Sequence, residues 1–303
     1  MNKKFLSGAH LVILIFGLLC SYNTACAQKE TLKSKIEEII LQAKGNVGVA
    51  VMGMEDSDSL SINGHNRYPM QSVYKFPLAM AVLDLVDKGK FSLDQKIHVN
   101  KTDLLPNTWS PLREKYPGGN VDVPLHELLS FTISQSDNSG CDILFRLLGG
   151  PHVVETYIRG LGVAGIAIAG TEEEMHRDWN VQFTNWCEPV AMLQLLDILY
   201  QGKILSKSSS DFMWKILTET STGPKRIKGL LPAGTVVAHK TGSSGPNDKG
   251  LTAATNDVGI VTLPNKNHFA IVVYVSNATA DEKTLESVIA GISKAAWDYF
   301  SLK

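Results

Sequence analysis

Three short clusters in this 303-residue chain hold residue types that can activate a hydroxyl and manage the charge its attack creates. Ser72-Val73-Tyr74-Lys75 puts a hydroxyl and an amine three residues apart at the expected start of a helix. That is nearly one turn, so both side chains project from the same face. A serine hydroxyl is a weak nucleophile until a neighbour takes its proton or stabilises its charge, and Lys75 can do either in a crowded, partly dry site. A helix N-terminus under Ser72 also favours the negative charge that develops during attack. Ser136-Asp137-Asn138 offers a hydroxyl to shuttle a proton and a carboxamide to grip a peptide-like group. Lys240-Thr241-Gly242, at the expected end of a strand, offers a cation and a hydroxyl for a carboxylate, and a glycine that lets backbone approach backbone. The main-chain N–H of Ser243 then faces the same place.

Singly, each cluster also has an ordinary structural reading. The first reads as a capping serine with an exposed lysine, the second as an Asx turn between helices, the third as a strand-to-turn exit. Together they are specific. Each occurs once, in the order S-x-x-K, S-D-N, K-T-G, and the set is the signature of class A β-lactamases and penicillin-binding proteins. From about Gly48 to Tyr299 the chain resembles class A β-lactamases, most closely the extended-spectrum branch of PER and VEB types. Pro69-Met70-Gln71, Leu105-Pro106-Asn107-Thr108-Trp109-Ser110-Pro111, Thr222-Gly223-Pro224 and Ala238-His239-Lys240-Thr241-Gly242 carry the closer likeness.

The resemblance implies hydrolysis of penicillins and cephalosporins, oxyimino-cephalosporins included, through an acyl-enzyme on Ser72. Either Lys75, or Glu172 through a water, would take the serine proton. The N–H groups of Ser72 and Ser243 would hold the oxyanion. Ser136, polarised by Lys240, would protonate the departing nitrogen. Asn138 would hold the acylamino side chain. Lys240, Thr241, Gly242 and Ser243 would receive the substrate carboxylate with Arg226 assisting, and Trp109 would wall the cleft. The family's loop motif E-x-x-L-N falls on Glu172-Glu173-Glu174-Met175-His176, which makes Glu172 the base for the deacylating water and His176 its helper. Two departures, His176 for the usual amide and Gly170 for a bracing arginine, fit the PER/VEB branch. They leave open which of three adjacent glutamates acts. A D,D-peptidase would lack the loop glutamate. A β-lactam sensor domain would need a further apolar membrane segment.

The elements that must position these residues read as β, then α, then β. Asn46 to Met54 predicts a buried strand, preceded by a helix with Leu32, Ile36, Ile39 and Ile40 on one face and partnered by Leu60 to Ile62. Thr235 to His239, Asp257 to Leu263 and His268 to Ser276 predict strands, and Asp281 to Phe300 an amphipathic helix. Between them, Phe76 to Val86, Pro124 to Ser130, Cys141 to Leu148, Val153 to Leu161 and Pro189 to Tyr200 have helical spacing. The expected architecture is α/β (α+β): an antiparallel sheet flanked by the terminal helices, built from residues 28–71 and 221–303. An all-α lobe over 72–220 is inserted into it, with the cleft between the two.

Composition excludes several classes. Lys and Arg number 29 against 30 Asp and Glu, so no field favours nucleic acid. Lys3, Lys4, the apolar run Leu11 to Leu19 and Ala25-Cys26-Ala27 read as a signal peptide over residues 1–27, directing the chain to the periplasm without a stable membrane span. Lipidation at Cys26 is the lesser alternative, since Asn23-Thr24-Ala25 is a poor lipobox. Cys141 and Cys187 read as buried free thiols. The expected partner is a small-molecule β-lactam, with a monomeric chain and no metal or organic cofactor.

Overall fold

The computed structural model describes residues 27–303. Apart from Ala27, the expected leader and the question of Cys26 lie outside the described residues. Residues 27–40 form helix α1, followed by strands β1 (Asn46–Gly53), β2 (Ser59–Ile62) and β3 (Tyr68–Pro69). A 3-10 turn over Gln71–Tyr74 leads into α2 (Lys75–Asp87), then β4 (Lys96–Val99), α3 (Pro111–Lys115) and β5 (Val121–Pro124). Next come α4 (Leu125–Ser134), α5 (Asn138–Leu148), α6 (Pro151–Gly160), β6 (Ile166–Ala167) and α7 (Glu172–Arg177). The chain continues through β7 (Trp186–Cys187), α8 (Pro189–Tyr200) and α9 (Lys207–Thr218), and ends in β8 (Val237–Ser243), β9 (Thr252–Thr262), β10 (His268–Ala278) and α10 (Glu282–Phe300).

The main sheet has the order β2-β1-β10-β9-β8, antiparallel throughout. The strands nearest its middle are covered on both faces and are buried along almost their whole length, which is why β9 and β10 lack the alternation of a half-solvated sheet. One face packs Val49, Val51, Ile271 and Val273 against Leu32 and Ile36 of α1 and Leu285, Ile289 and Ile292 of α10. The other packs Ala50, Val272 and Tyr274 into a second core with Leu78, Met80, Leu144 and Met192 of the helices. Full burial of an aliphatic side chain contributes about 1.5–3 kcal/mol, so these two cores hold the helices to the sheet. Among the described residues no helix is long and apolar enough to cross a membrane.

Three differences from the sequence reading matter for the site. Ser72 lies in a 3-10 turn, and the α-helix begins only at Lys75. Gln71 at φ 47° kinks the chain there. Strand β8 runs on through Lys240, Thr241 and Gly242 to Ser243, and β9 begins at Thr252, five residues before the expected Asp257. The extra length is polar (Thr255, Asn256), and it is buried because its groups bond across the sheet and to the turn before Ser72. Finally, the pairs β3·β7 and β6·β7 form a small separate sheet. Two-residue strands carry no periodicity to read.

Candidate active site

The small sheet and β8 together fix the nucleophile turn. Asn256 Nδ2 donates to the carbonyls of Pro69 and Met70 at 2.8 and 3.1 Å, and Met70 N–H donates to Asn185 O at 2.9 Å. Strand β8 then crosses the turn so closely that a Cβ on Gly242 would lie 2.3 Å from Met70 O. Gly242 is thus required by backbone crossing backbone inside the protein, ahead of any contact with a ligand.

At the centre lies the Lys75 ammonium, fully buried. It donates to Ser72 Oγ at 2.9 Å, to Ser136 O at 2.9 Å and to Asn138 Oδ1 at 2.5 Å, and stands 2.9 Å from Glu172 Oε1. Ser72 Oγ is 3.5 Å from that same carboxylate oxygen. Opposite, Lys240 Nζ donates to Ser136 Oγ at 2.8 Å and to Thr241 O at 2.9 Å. Burial, and then the charge of Lys75, push the Lys240 ammonium well below the usual lysine range. Ser72, Lys75, Ser136, Asn138, Glu172 and Lys240 are therefore one contiguous cluster.

Local structure explains how each arrives. Ser136 sits at φ 59°, a left-handed bend between α4 and α5 that turns its hydroxyl toward Lys240. Asp137 caps α5, accepting from Gly140 N–H at 2.7 Å, and also takes Leu112 N–H at 2.6 Å and the Ser110 hydroxyl at 3.1 Å. It ties the turn to the 108–112 segment and faces away from the reacting groups. Asn138 follows as the first residue of α5, its amide donating to Thr108 Oγ1 at 2.7 Å.

The three glutamates of the loop separate cleanly. Thr171 and Glu174 form the reciprocal capping box of α7. Glu173 pairs with Arg177 on the outside. Glu172 alone is buried against Lys75. The brace missing at Gly170 is supplied by Asn185, whose Oδ1 accepts from Ala169 and Gly170 N–H at 2.7 and 2.9 Å and whose Nδ2 donates to Gly170 O. Asn185 O holds Met70, so one wholly buried residue ties the Glu172 loop to the nucleophile turn. A second strap runs from Gln71 Nε2 to Gln182 Oε1 at 2.5 Å and on to Trp179 O.

Asp142 is the third support. Its carboxylate accepts the N–H groups of Glu172 and Glu173 at 2.8 and 2.9 Å. Burial and the nearby Glu172 charge push it up to about 7, against those N–H groups and Lys75. Because the folded value exceeds the unfolded one, its contribution to stability is present below about pH 4 and is lost as the pH rises through 7. The expected result is that Asp142→Asn, compared with the unaltered protein by thermal melts, gains relative stability between pH 5 and 8. The difference amounts to about 4 kcal/mol at most. A pH-independent difference would show that Asp142 carries no such load.

The cleft over this cluster is about 360 Å³ and is lined by Ser72, Asn138, Glu172, His176, Trp179 and Ser243 among others. Thr241 is bonded to Thr222 at 2.6 Å, and Ser243 Oγ accepts from Arg226 Nη2 at 2.7 Å. Arg226 is buried, its Nη1 donating to the carbonyls of Gly242 and Asn256. Pairing of Ser243 with Thr255 on the edge strand β8 falls between hydrogen-bonded pairs, so the Ser243 N–H points to the open side. Trp109 is placed differently from expectation. It is 57% exposed, is absent from the cleft lining and donates through Nε1 to Gln135 O. The cleft's indole is Trp179, and Thr108, next to Trp109, is the residue of that segment that lines it.

Sequence comparison agrees with this geometry. The β-lactamase enzyme family profile matches residues 31–300. The chain belongs to the β-lactamase enzyme family. It is 44% identical over 292 residues to β-lactamase VEB-1 of Pseudomonas aeruginosa, covering 96% of this chain and 97% of that one. It is 42% identical to the extended-spectrum β-lactamase PER-1 of the same organism, covering 98% and 95%. The crystal structure of a representative class A β-lactamase from Bacteroides cellulosilyticus superposes with a TM-score of 0.87 at 37% identity, over 91% of this chain and 99% of the other. The family assignment and class A fold read from the three motifs are thereby shown. Asp142, Asn185, Gln182 and Thr108 were not legible from those motifs. The one available signal was the Gly170 departure, which calls for some other brace. Among the described residues no group of His, Cys, Asp and Glu could hold a metal ion, and Cys141 and Cys187 are buried free thiols.

Proposed function

We propose that this β-lactamase hydrolyses penicillins and cephalosporins, oxyimino-cephalosporins included, through an acyl-enzyme on Ser72, and so confers resistance to them. The observation that carries the reading is a single shared contact: Glu172 Oε1 lies 2.9 Å from Lys75 Nζ and 3.5 Å from Ser72 Oγ, so one carboxylate serves both the nucleophile and a water beside it.

Ser72 Oγ attacks the lactam carbonyl. Lys75 donates to or pairs with several oxygens at once, which suits an ammonium ion and leaves it no lone pair with which to accept a proton. The serine proton therefore passes to Glu172, and the 3.5 Å gap is long enough to favour a bridging water. Oxyanion charge falls on the N–H groups of Ser72, in the first turn, and Ser243, on the open edge, each donor contributing roughly 3 kcal/mol. Ser136, polarised by Lys240 at 2.8 Å, protonates the leaving nitrogen. Lys240, Thr241, Gly242 and Ser243 receive the substrate carboxylate. Arg226, bonded to Ser243, orients that hydroxyl. Asn138, held by Thr108, grips the acylamino group. Glu172 then activates water, with His176 at the rim of the same cleft helping to place it. The protein acts as a periplasmic monomer once its leader is removed.

Turnover of a chromogenic cephalosporin, followed by intact mass, tests this. Sustained colour with no lasting adduct is expected. A long-lived stoichiometric adduct with no turnover would identify a D,D-peptidase or sensor instead.

A further inference from the structure

A second cavity, of about 640 Å³, lies against the strand exit that borders the cleft. Ser243, Ser244 and Gly245 line both spaces, so the end of β8 is the ridge they share. Arg226 and Leu285, both buried, line the second cavity and not the first. Thr279, Ala280 and the first residues of α10 complete its wall. No reaction step uses this space.

The walls are held without a ligand. Ser244 N–H donates to Ala254 O at 2.9 Å, and Ala254 N–H returns a bond to Ser244 Oγ at 2.9 Å. Pro246 bridges to Thr252, and Asn247 Oδ1 accepts from Lys249 and Leu251 N–H at 2.9 and 3.0 Å, which closes the turn between β8 and β9. At α10, Thr279 N–H donates to Lys44 O at 3.2 Å, and Asp281 caps the helix by accepting from Thr284 N–H at 2.7 Å. A preformed concavity with a few fixed polar groups is the usual form of a small-molecule site.

Position limits what can occupy it. Ser243, whose hydroxyl accepts from Arg226, belongs to the set that receives the substrate carboxylate. In a cephalosporin that carboxylate and the ring substituent (the variable group other than the acylamino side chain) sit on adjacent carbons of the six-membered ring. The substituent must therefore leave the ring beside the carboxylate's partners. Toward Ser136 the space is filled by buried Lys240, and Thr241 is closed off by its bond to Thr222 at 2.6 Å. The way left within the protein runs over Ser243 into the second cavity. A penicillin carries only two methyl groups next to its carboxylate and has nothing to place there.

We propose that the cavity bounded by Ser243, Arg226, Ala280 and Leu285 is the subsite for the ring substituent of cephalosporins, and that it lets the enzyme take those whose substituent is large. The inference rests on the carboxylate site assigned to Lys240, Thr241 and Ser243. Turnover of a penicillin by the unaltered protein tests the hydrolytic reading separately, because a penicillin does not reach the cavity.

The experiment fills the cavity. Ala280→Trp adds an indole from a half-buried position away from the reacting groups. Its kcat/KM is measured for a penicillin, for a cephalosporin with a methyl ring substituent, and for one with a pyridiniummethyl substituent. The last is expected to fall about tenfold or more, through KM, while the first two change by less than about twofold, since one misfitting group in a shaped pocket has an effect of that order. Thr279→Trp, at an exposed position, is expected to give the same ranking and serves if Ala280→Trp does not fold. Equal losses for all three substrates, or no loss for any in a folded variant, would overturn the proposal. A direct view comes from crystals of Glu172→Gln acylated by a cephalosporin whose ring substituent stays attached after ring opening. The group is expected against Arg226 and Leu285. A substituent turned toward Thr222 or out to solvent would equally overturn it.

Discussion

Glu172→Gln is expected to convert the protein into one that takes up a β-lactam and does not let it go. Glutamine keeps the size and one oxygen of glutamate but cannot accept a proton from water. Loss of a positioned general base costs about 10² to 10⁴ in rate. Acylation is expected to suffer less. Ser72 keeps its hydrogen bond from Lys75 at 2.9 Å, and that ammonium still stabilises the charge developing on the attacking oxygen. Nothing in the cleft substitutes for Glu172 at the water. Intact mass after brief exposure to a penicillin would show one added substrate mass persisting for many turnover times. Rapid turnover by this variant would remove Glu172 from the mechanism. Glu173→Gln is the matched control, because Glu173 pairs outward with Arg177 and is expected to turn over normally.

Ser72→Ala has the other large effect. With the hydroxyl gone there is no atom to form the ester, so no mass adduct appears and kcat/KM falls by roughly 10⁴ or more, the scale of losing a nucleophile whose partners act as one unit. The 3-10 turn holding residue 72 is fixed by Asn256 and Asn185 through main-chain carbonyls and N–H groups. The variant is therefore expected to fold and to bind substrate reversibly. Undiminished hydrolysis would show that the nucleophile is elsewhere.

The two results have a common basis in how the loop is held. Residues 166–187 form only short elements of their own. They are pinned by Asn185, by Asp142 and by the short pairings of β6 and β7 with β3. The spacing of the family's E-x-x-L-N motif makes Glu172 the choice among three glutamates, and the capping box gives a local reason for it. Thr171 and Glu174 close the N-terminus of α7 on each other, which commits Glu174 outward and leaves Glu172 on the inner face. Trp109 shows the opposite outcome. Its position in a family-like segment suggested a wall of the cleft, but its indole N–H is drawn to Gln135 O and the ring faces solvent. An aromatic residue in a loop has no periodicity, so nothing local indicates which way it turns.

Strand edges depart from the local pattern for a related reason. Residues 252–256 are polar enough to read as a loop, yet they are buried because Thr255 continues the ladder to Ser243 and Asn256 bonds to Pro69, Met70 and Val275. Tertiary partners override local preference wherever they satisfy the backbone and the side chain together.

By itself the sequence determined the chemistry and the order of its parts. A hydroxyl and an amine one turn apart, a hydroxyl and an amide in one turn, and a lysine on a strand are local facts that survive in any chain with this order. It also determined the β-α-β layout, because apolar spacing is set residue by residue. What only the tertiary structure decided is distance and charge. Ser72 and Glu172 are 100 residues apart in the chain, and Ser136 and Lys240 are 104 apart. Whether Lys75 meets an acid and whether Asn185 replaces a brace depend on packing between separate elements. The energies of ions are decided by what surrounds them once water is excluded, and no local pattern of residues records that environment.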